Sequence, residues 1–239
     1  ILKKTQIMIK QLVIINNESI YKHNENFFCD NIDLKSIPEG LSKTFKILMI
    51  ARKSNIERSH QINLEAISIA SNIFTYLFSL INTFKNKETQ YLLISITPYT
   101  FIAYLFLFIF KKKIFVYLRS NGYEEYKAIL GFFGPFLYHI MFIIVSRKAN
   151  LISCRLHLLK GKIGKIVSPS QLNNNWFKSH QEYDLKKVKL LYVGRIKVEK
   201  GIFSLLKLIK NKETKFTLSI VGTNKKNHNI INQNNVSVI

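Results

Sequence analysis

The sequence predicts an α/β protein with parallel β-sheets in two successive domains. Residues 91–96 and 114–118 form short, continuous apolar runs. Such runs are typical of strands that are covered on both faces of a parallel sheet. Segments with helical apolar periodicity lie between the runs, and a polar stretch, residues 173–187, separates a first set of elements from a second. Alternation of strands and helices predicts the parallel α/β class.

The first domain is assigned to residues 1–178 and is followed by a linker, residues 179–187. Asn16-Asn17-Glu18 is expected to end the first strand, and Asn63 to cap the first helix. Pro98 favours a helix start, because its fixed φ suits the first turn. Strands are predicted at residues 11–15, 47–51, 91–96, 114–118, 149–154 and 165–167, and helices at 64–83, 98–110 and 132–148.

Two uncharged runs, residues 91–110 and 128–146, approach the roughly 20 residues that a membrane-spanning helix needs. An integral hairpin with basic flanks is therefore an alternative. Two observations oppose it. Pro98 divides the first run into a strand and a short helix. Cations would also flank both ends of the hairpin, which gives no positive-inside asymmetry.

The formal net charge of +22 over 239 residues predicts an anionic partner, such as an acidic membrane surface, a phosphorylated substrate or nucleic acid. A nucleic-acid-binding module remains a second alternative, but charge alone supports it, because no motif of such modules is present. Neither Cys29 nor Cys154 lies in a ligand spacing, so a disulfide framework or a zinc site is not predicted.

The most informative stretch is residues 188–209, where an apolar strand leads through a short basic loop into an amphipathic helix. The loop contains Gly194, Arg195, Lys200 and Gly201. Backbone N–H groups in the first turn of a helix have no partner within the helix, and this end of the dipole is positive. A guanidinium can bind phosphate oxygens bidentately and an ammonium acts as a mobile point charge, so the pair suits a diphosphate.

This stretch, VGRIKVEKGI before a leucine-rich helix, resembles the donor-site motif of retaining nucleotide-sugar glycosyltransferases of GT-B architecture, family 4 type. KFTLSIVG, which ends at Gly222, is similar to the family's next strand and glycine turn. The resemblance implies two Rossmann-like domains, with residues 188–239 as an incomplete nucleotide-sugar-binding domain. It further implies that Arg195 and Lys200 hold the donor diphosphate, and that no metal or cofactor is needed besides the donor substrate.

The same resemblance sets expectations for the acceptor side. Family loops equivalent to residues 119–126 place the acceptor and the transferred sugar, often through a histidine, which is absent here. Arg119 and Glu124 are therefore the candidate catalytic residues. Arg119 could contact a phosphate or sugar hydroxyls, and Glu124 or Glu125 could hydrogen-bond sugar hydroxyls. The alternative role of these glutamates is to favour the N-terminus of a helix. The expected activity is hexosyl transfer to a glycan or lipid-linked acceptor in polysaccharide synthesis, without a nucleic-acid partner.

Charge and aromatic content also predict peripheral attachment to anionic lipid at the cytoplasmic face of the membrane, through residues 132–148. The family's acidic donor-site pair would lie beyond residue 239, so the 239-residue piece is expected to be inactive by itself.

Overall fold

The computed structural model describes residues 10–168, 188–194, 201–210, 215–221 and 236–238. The chain divides into two compact units, Ile1–Ser170 and Gln171–Ile239. Each unit contains a sheet whose strands pair mainly in parallel, with helices between them. The predicted α/β class is therefore confirmed.

The strands of the first unit are β1 (Gln11–His23), β2 (Asn26–Cys29), β3 (Lys46–Ser54), β4 (His60–Ile62), β5 (Ile67–Ala70), β6 (Gln90–Ile94), β7 (Lys113–Leu118), β8 (Asn150–Ser153) and β9 (Gly164–Ile166). They form one sheet, in which the strands in the order β5-β3-β1-β6-β7-β8-β9 pair in parallel. Strands β2 and β4 form an antiparallel extension beside the C-terminal end of β1. The helices are α1 (Ile32–Leu41), α2 (Ile73–Asn82), α3 (Pro98–Ile109), α4 (Gly122–Leu130) and α5 (Gly134–Ser146).

Both faces of this sheet are covered, which explains the continuous apolar runs. Val13 and Ile15 of β1 belong to a core cluster that includes side chains of α2, α3 and α5. The alternate residues Leu12 and Ile14 belong to a second cluster, to which α1 contributes Leu34. Successive side chains of a strand point to opposite faces, so a strand buried on both faces must be apolar at every position.

Three sequence predictions in this unit are wrong. Residues 119–126 are not all loop, because helix α4 begins at Gly122. The predicted helix 64–83 begins only at Ile73, because Asn72 and Thr75 form its capping box, and Ile67–Ala70 is strand β5. The first strand does not end at Asn16 but continues to His23 through an irregularity in register. There the Asn16 side chain donates to the Ile50 carbonyl oxygen at 3.3 Å, in place of a regular ladder bond.

The helical run Gly122–Ser146 is, among the described residues, the one helix long and apolar enough to cross a membrane by length and composition. It is not a straight rod. Tyr123 Oη lies 2.8 Å from His139 Nδ1, whereas 16 intervening steps of a straight helix would separate them by about 24 Å. The run is a helical hairpin, in which α4 and α5 meet at a 3-10 turn over Gly131–Phe133.

The other uncharged run, residues 91–110, does not form one helix. Its first part lies in β6, at the centre of the sheet, and its second part is α3. A 12-residue helix is about 18 Å long, well short of the roughly 30 Å hydrocarbon core of a bilayer. The predicted division at Pro98 is confirmed, and the integral hairpin does not describe this fold.

The second unit contains the parallel sheet β10-β11-β12, with strands β10 (Val188–Val193), β11 (Phe216–Val221) and β12 (Val236–Val238). Helix α6 (Ile202–Ile209) lies between β10 and β11 in the chain. Ile202, Leu206 and Ile209 of this helix pack against Leu218 and Ile220. The strand and the helix predicted on either side of the basic loop are both confirmed.

Candidate functional site

The first candidate region is the connection between β10 and α6. Strand β10 ends at Val193, and the N–H of Gly194 donates to the carbonyl oxygen of Val221 at 3.0 Å, which fixes the strand's carboxyl end against β11. Gly194 has φ +154° and Gly201 has φ +74°. Both values lie in a region that side chains with a Cβ rarely adopt, so glycine is required on both sides of the connection.

Gly201 directly precedes the first turn of α6 and serves as its N-cap residue without a side-chain hydrogen bond. The chain therefore passes from the carboxyl end of a parallel strand to the N-terminus of a helix within residues 194–201. Ligands of open parallel sheets bind at this edge, and helix N-termini favour anions. Arg195, Lys200 and Gly222 lie outside the described residues.

The second candidate region lies in the first unit, where the strand order reverses. β3 and β5 lie on one side of β1, while β6 to β9 lie on the other. The crevice between the carboxyl ends of β1 and β6 is therefore the topological switch point of the sheet. Ile15 pairs with Leu93, and Ile94 pairs with Tyr117. This register brings Asn17, Ser95 and Arg119 to neighbouring positions at that edge.

Three polar side-chain atoms at this edge are buried and, within the described part of the chain, have no hydrogen-bond partner: Asn17 Oδ1, Ser95 Oγ and Asn121 Oδ1. Ser95 also has φ +64°, a left-handed conformation that is unusual for a residue other than glycine. Buried polar groups without partners and strained backbone are both costly, and they concentrate at ligand sites. The three atoms are suited to hydrogen bonds with a hydroxyl-rich ligand.

Arg119 lies beside these atoms and contacts two carboxylates. Its Nη2 is 3.4 Å from Glu18 Oε1, and its Nη1 is 3.8 Å from Asp33 Oδ2. Asn31 Nδ2 donates to the same Glu18 oxygen at 3.1 Å. Two negative charges therefore compensate the guanidinium, which makes this edge less suited to a phosphate than the isolated arginine suggested.

A small cavity adjoins Arg119, and only one of the two acidic residues in the first turn of α4 lines it. Glu125 lines this cavity together with Arg119, Ser95 and Tyr138. Glu124, the predicted catalytic residue, is exposed in the first turn of α4 and does not line it. Burial raises the pKa of the Tyr138 hydroxyl far above its usual range, so this group stays protonated at the cavity wall.

The sequence indicates Arg119 as a candidate site residue but not the groups around it. Its pattern predicts that Asn17 and Glu18 end a strand and that Ser95 is part of a buried strand. One signal was available, since polar residues directly follow the apolar runs of β1 and β6 at the edge where parallel strands bind ligands.

Comparison with solved structures assigns the architecture. A protein from Listeria monocytogenes, assigned as a UDP-N-acetylglucosamine 2-epimerase, aligns over 97% of this chain and 69% of its own, with TM-score 0.53 and 12% identity. An alpha-glucosyltransferase in complex with UDP and a 13-mer DNA containing an A:G mismatch aligns over 96% of this chain and 66% of its own, with TM-score 0.54 and 10% identity. The fold is GT-B-like.

A second alpha-glucosyltransferase complex, with UDP and a DNA containing an HMU base, gives TM-score 0.52 at 11% identity over 92% of this chain and 59% of its own. The chain thus spans 59% to 69% of the length of these three structures. At such identities the likeness concerns the fold alone. No protein-family model matches the sequence, and no curated protein matches it at a significant level.

Proposed function

We propose that this chain is a glycosyltransferase that moves a sugar from a nucleoside-diphosphate sugar to a glycan or lipid-linked acceptor. The observation that carries the proposal is the β10–α6 connection, in which two conformationally required glycines enclose a loop with Arg195 and Lys200. The GT-B-like fold supports it, because the alpha-glucosyltransferase with the same architecture is in complex with UDP.

The donor chemistry follows from this connection. As the glycosidic bond to the donor breaks, negative charge grows on the leaving nucleoside diphosphate. The N-terminus of α6, the Arg195 guanidinium and the Lys200 ammonium would stabilise that charge. Electrostatic stabilisation of this kind accounts for catalysis without a metal ion.

The acceptor or the transferred sugar is assigned to the switch-point crevice of the first unit. Sugar hydroxyls both donate and accept hydrogen bonds, so they suit Asn17 Oδ1, Ser95 Oγ and Asn121 Oδ1 as partners. Glu125 is the acidic residue of α4 that lines the cavity beside Ser95 and Arg119, and Glu124 does not line it. Because this cavity is only about 10 Å³, it can hold no more than about one water, so a sugar hydroxyl would have to meet Glu125 at the open edge of the crevice. Arg119 acts as a positioning residue that holds Glu18 and Asp33 at the crevice.

One competing function has an observation in its favour. The protein from Listeria monocytogenes with this architecture is assigned as a UDP-N-acetylglucosamine 2-epimerase. An epimerase also binds a nucleotide sugar, but it rearranges the sugar and needs no acceptor. The two functions therefore share the donor site and differ in their products.

Calorimetric titration with UDP, GDP and ADP tests the donor site. Each charge-assisted contact contributes roughly 1.5–3 kcal/mol, so Arg195→Ala and Lys200→Ala should each weaken binding of the preferred nucleotide about 10- to 100-fold. Lys207→Ala is the matched control, because this exposed lysine lies in the last turn of α6. Absence of binding to all three nucleotides, or unchanged affinity in both loop variants, would remove the assignment.

A further inference from the structure

We propose that the α4–α5 hairpin docks this chain onto an anionic lipid bilayer through an exposed apolar ridge. The apolar ridge consists of Ile129, Leu130, Phe132, Phe133, Phe136, Leu137 and Ile140, all of which are exposed. Phe132 and Phe133 in the connecting turn are 89% and 74% exposed. Large contiguous apolar surfaces on a folded chain mark interaction sites, whereas single exposed apolar residues do not.

The ridge is a consequence of the sequence of α5. Tyr138, Met141, Phe142 and Val145 form its inner face and pack into the core. On an ordinary surface helix the opposite face would carry charged residues. Here residues 128–146 contain no charged residue apart from the titratable His139, whose ring is hydrogen-bonded to Tyr123. Within residues 10–168, the core clusters of the first unit contain none of the ridge residues, so packing there does not account for the apolar outer face.

Cations lie at the opposite end of the same helix. The outer face of α5 leads from Phe133 to Leu137 and Ile140 at spacings of four and three residues, and Arg147 and Lys148 follow about two helical turns after Ile140. Lys148 also borders an open depression of about 480 Å³. The other residues that line this depression are Phe108, Ile109, Lys111, Lys112 and Ile114. An aromatic tip and a basic end therefore lie along one helix of about 20 Å.

Charge identifies the occupant as lipid rather than a second copy of the chain. A net charge of +22 opposes self-association through a face bordered by lysines. An anionic bilayer offers the complementary combination, because phosphate headgroups attract the cations while phenylalanines enter the boundary between headgroups and acyl chains. The stretch from Lys111 to Lys165 has a large excess of positive charge, because its only acidic residues are Glu124 and Glu125. Its cations are Lys111, Lys112, Lys113, Arg119, Lys127, Arg147, Lys148, Arg155, Lys160, Lys162 and Lys165.

The ridge is close to the crevice of the first unit. Helix α4 begins three residues after Arg119 and reaches the ridge after nine residues, or about 13 Å. A bilayer bound to the ridge would bring lipid headgroups near this crevice. If the chain is a glycosyltransferase as proposed, its acceptor is then lipid-linked rather than a free glycan. Only this step of the inference rests on the proposed function.

Vesicle flotation tests the apolar part of the ridge. The 239-residue chain should float with vesicles of equimolar phosphatidylcholine and phosphatidylglycerol, and not with phosphatidylcholine alone. Phe132→Ser/Phe133→Ser should lower the partition coefficient about tenfold or more. The control Ile56→Ser/Leu191→Ser removes two apolar side chains that are 72% and 68% exposed elsewhere, and it should bind as the wild type does.

The double variant Arg147→Glu/Lys148→Glu tests the basic end of α5, and it should also weaken flotation. The control Lys22→Glu/Lys43→Glu makes the same change in charge elsewhere on the chain and should float as the wild type does. Raised salt and carbonate should release the wild-type chain. Four results would each overturn the proposal. The wild-type chain could bind neutral vesicles as well as anionic ones, or stay bound after the carbonate wash. The serine variant could float as the wild type does, or it could abolish a dimer that the wild type forms. Nucleotide binding, measured on the same variants, reports folding and donor-site function separately from docking.

Discussion

Gly134→Ala should unfold the helical hairpin locally, because Gly134 lies against the backbone of α4. A Cβ at this position would be 2.0 Å from the carbonyl oxygen of Tyr126 and 2.9 Å from the amide nitrogen of Lys127, whereas ordinary contacts begin at 3.4 Å. The helices would have to separate by roughly 1.4 Å, and no side-chain rotation can relieve the contact. Overpacking costs about 1–3 kcal/mol, and the gain in helix propensity offsets about 1 kcal/mol of it. Because the contact is with backbone atoms, the cost lies towards the upper end, and we expect a net loss of up to about 2 kcal/mol.

Hydrogen exchange of the amides in residues 122–146 measures this loss directly, since it reports the opening of one part of a chain. Gly40→Ala is the matched control. A Cβ at Gly40, within α1, has nothing within 4 Å, so this variant should be more stable than the wild type by up to about 1 kcal/mol. Unchanged or increased protection in Gly134→Ala would show that α4 and α5 do not approach each other as described.

Two further variants address the candidate sites separately. Gly201→Ala forces a Cβ into φ +74°, which costs about 1–2 kcal/mol, and calorimetry should show weaker nucleotide binding than in the wild type. Arg119→Gln removes the guanidinium that contacts Glu18 and Asp33. The kcat/KM for the acceptor should therefore fall about tenfold or more. Nucleotide affinity, measured by calorimetry, should stay unchanged. An equal loss of both would assign Arg119 to the donor site.

The second unit was the most predictable part of the fold, because each of its described elements carries a local signal. Ile202, Leu206 and Ile209 recur at helical spacing, and a glycine precedes them. The predicted helix at residues 64–83 failed for an equally local reason. Apolar residues there satisfy a helical pattern, but Ile67-Ser68-Ile69 also alternates as a strand does, and pairing with β3 decides between the two.

The candidate site was less predictable, because its geometry depends on contacts between distant residues. Glu18 and Arg119 are 101 residues apart in the sequence, and only the strand order brings them together. Among the described residues, the lack of a hydrogen-bond partner for Asn17 Oδ1, Ser95 Oγ and Asn121 Oδ1 is likewise a property of the folded chain, since each atom could find a partner in another arrangement. Sequence patterns predict which elements form and rarely predict which polar atoms remain unsatisfied.

The most direct test of the central claim is the fate of a radiolabelled sugar supplied as its nucleoside diphosphate to the protein as its source cell produces it. Lipid extract, glycans and duplex DNA are offered as acceptors in parallel. The account predicts label in the lipid fraction, stoichiometric release of nucleoside diphosphate, and loss of both in Arg195→Ala/Lys200→Ala. Conversion of the donor to its 2-epimer with no label in any acceptor would contradict it and assign the chain as an epimerase.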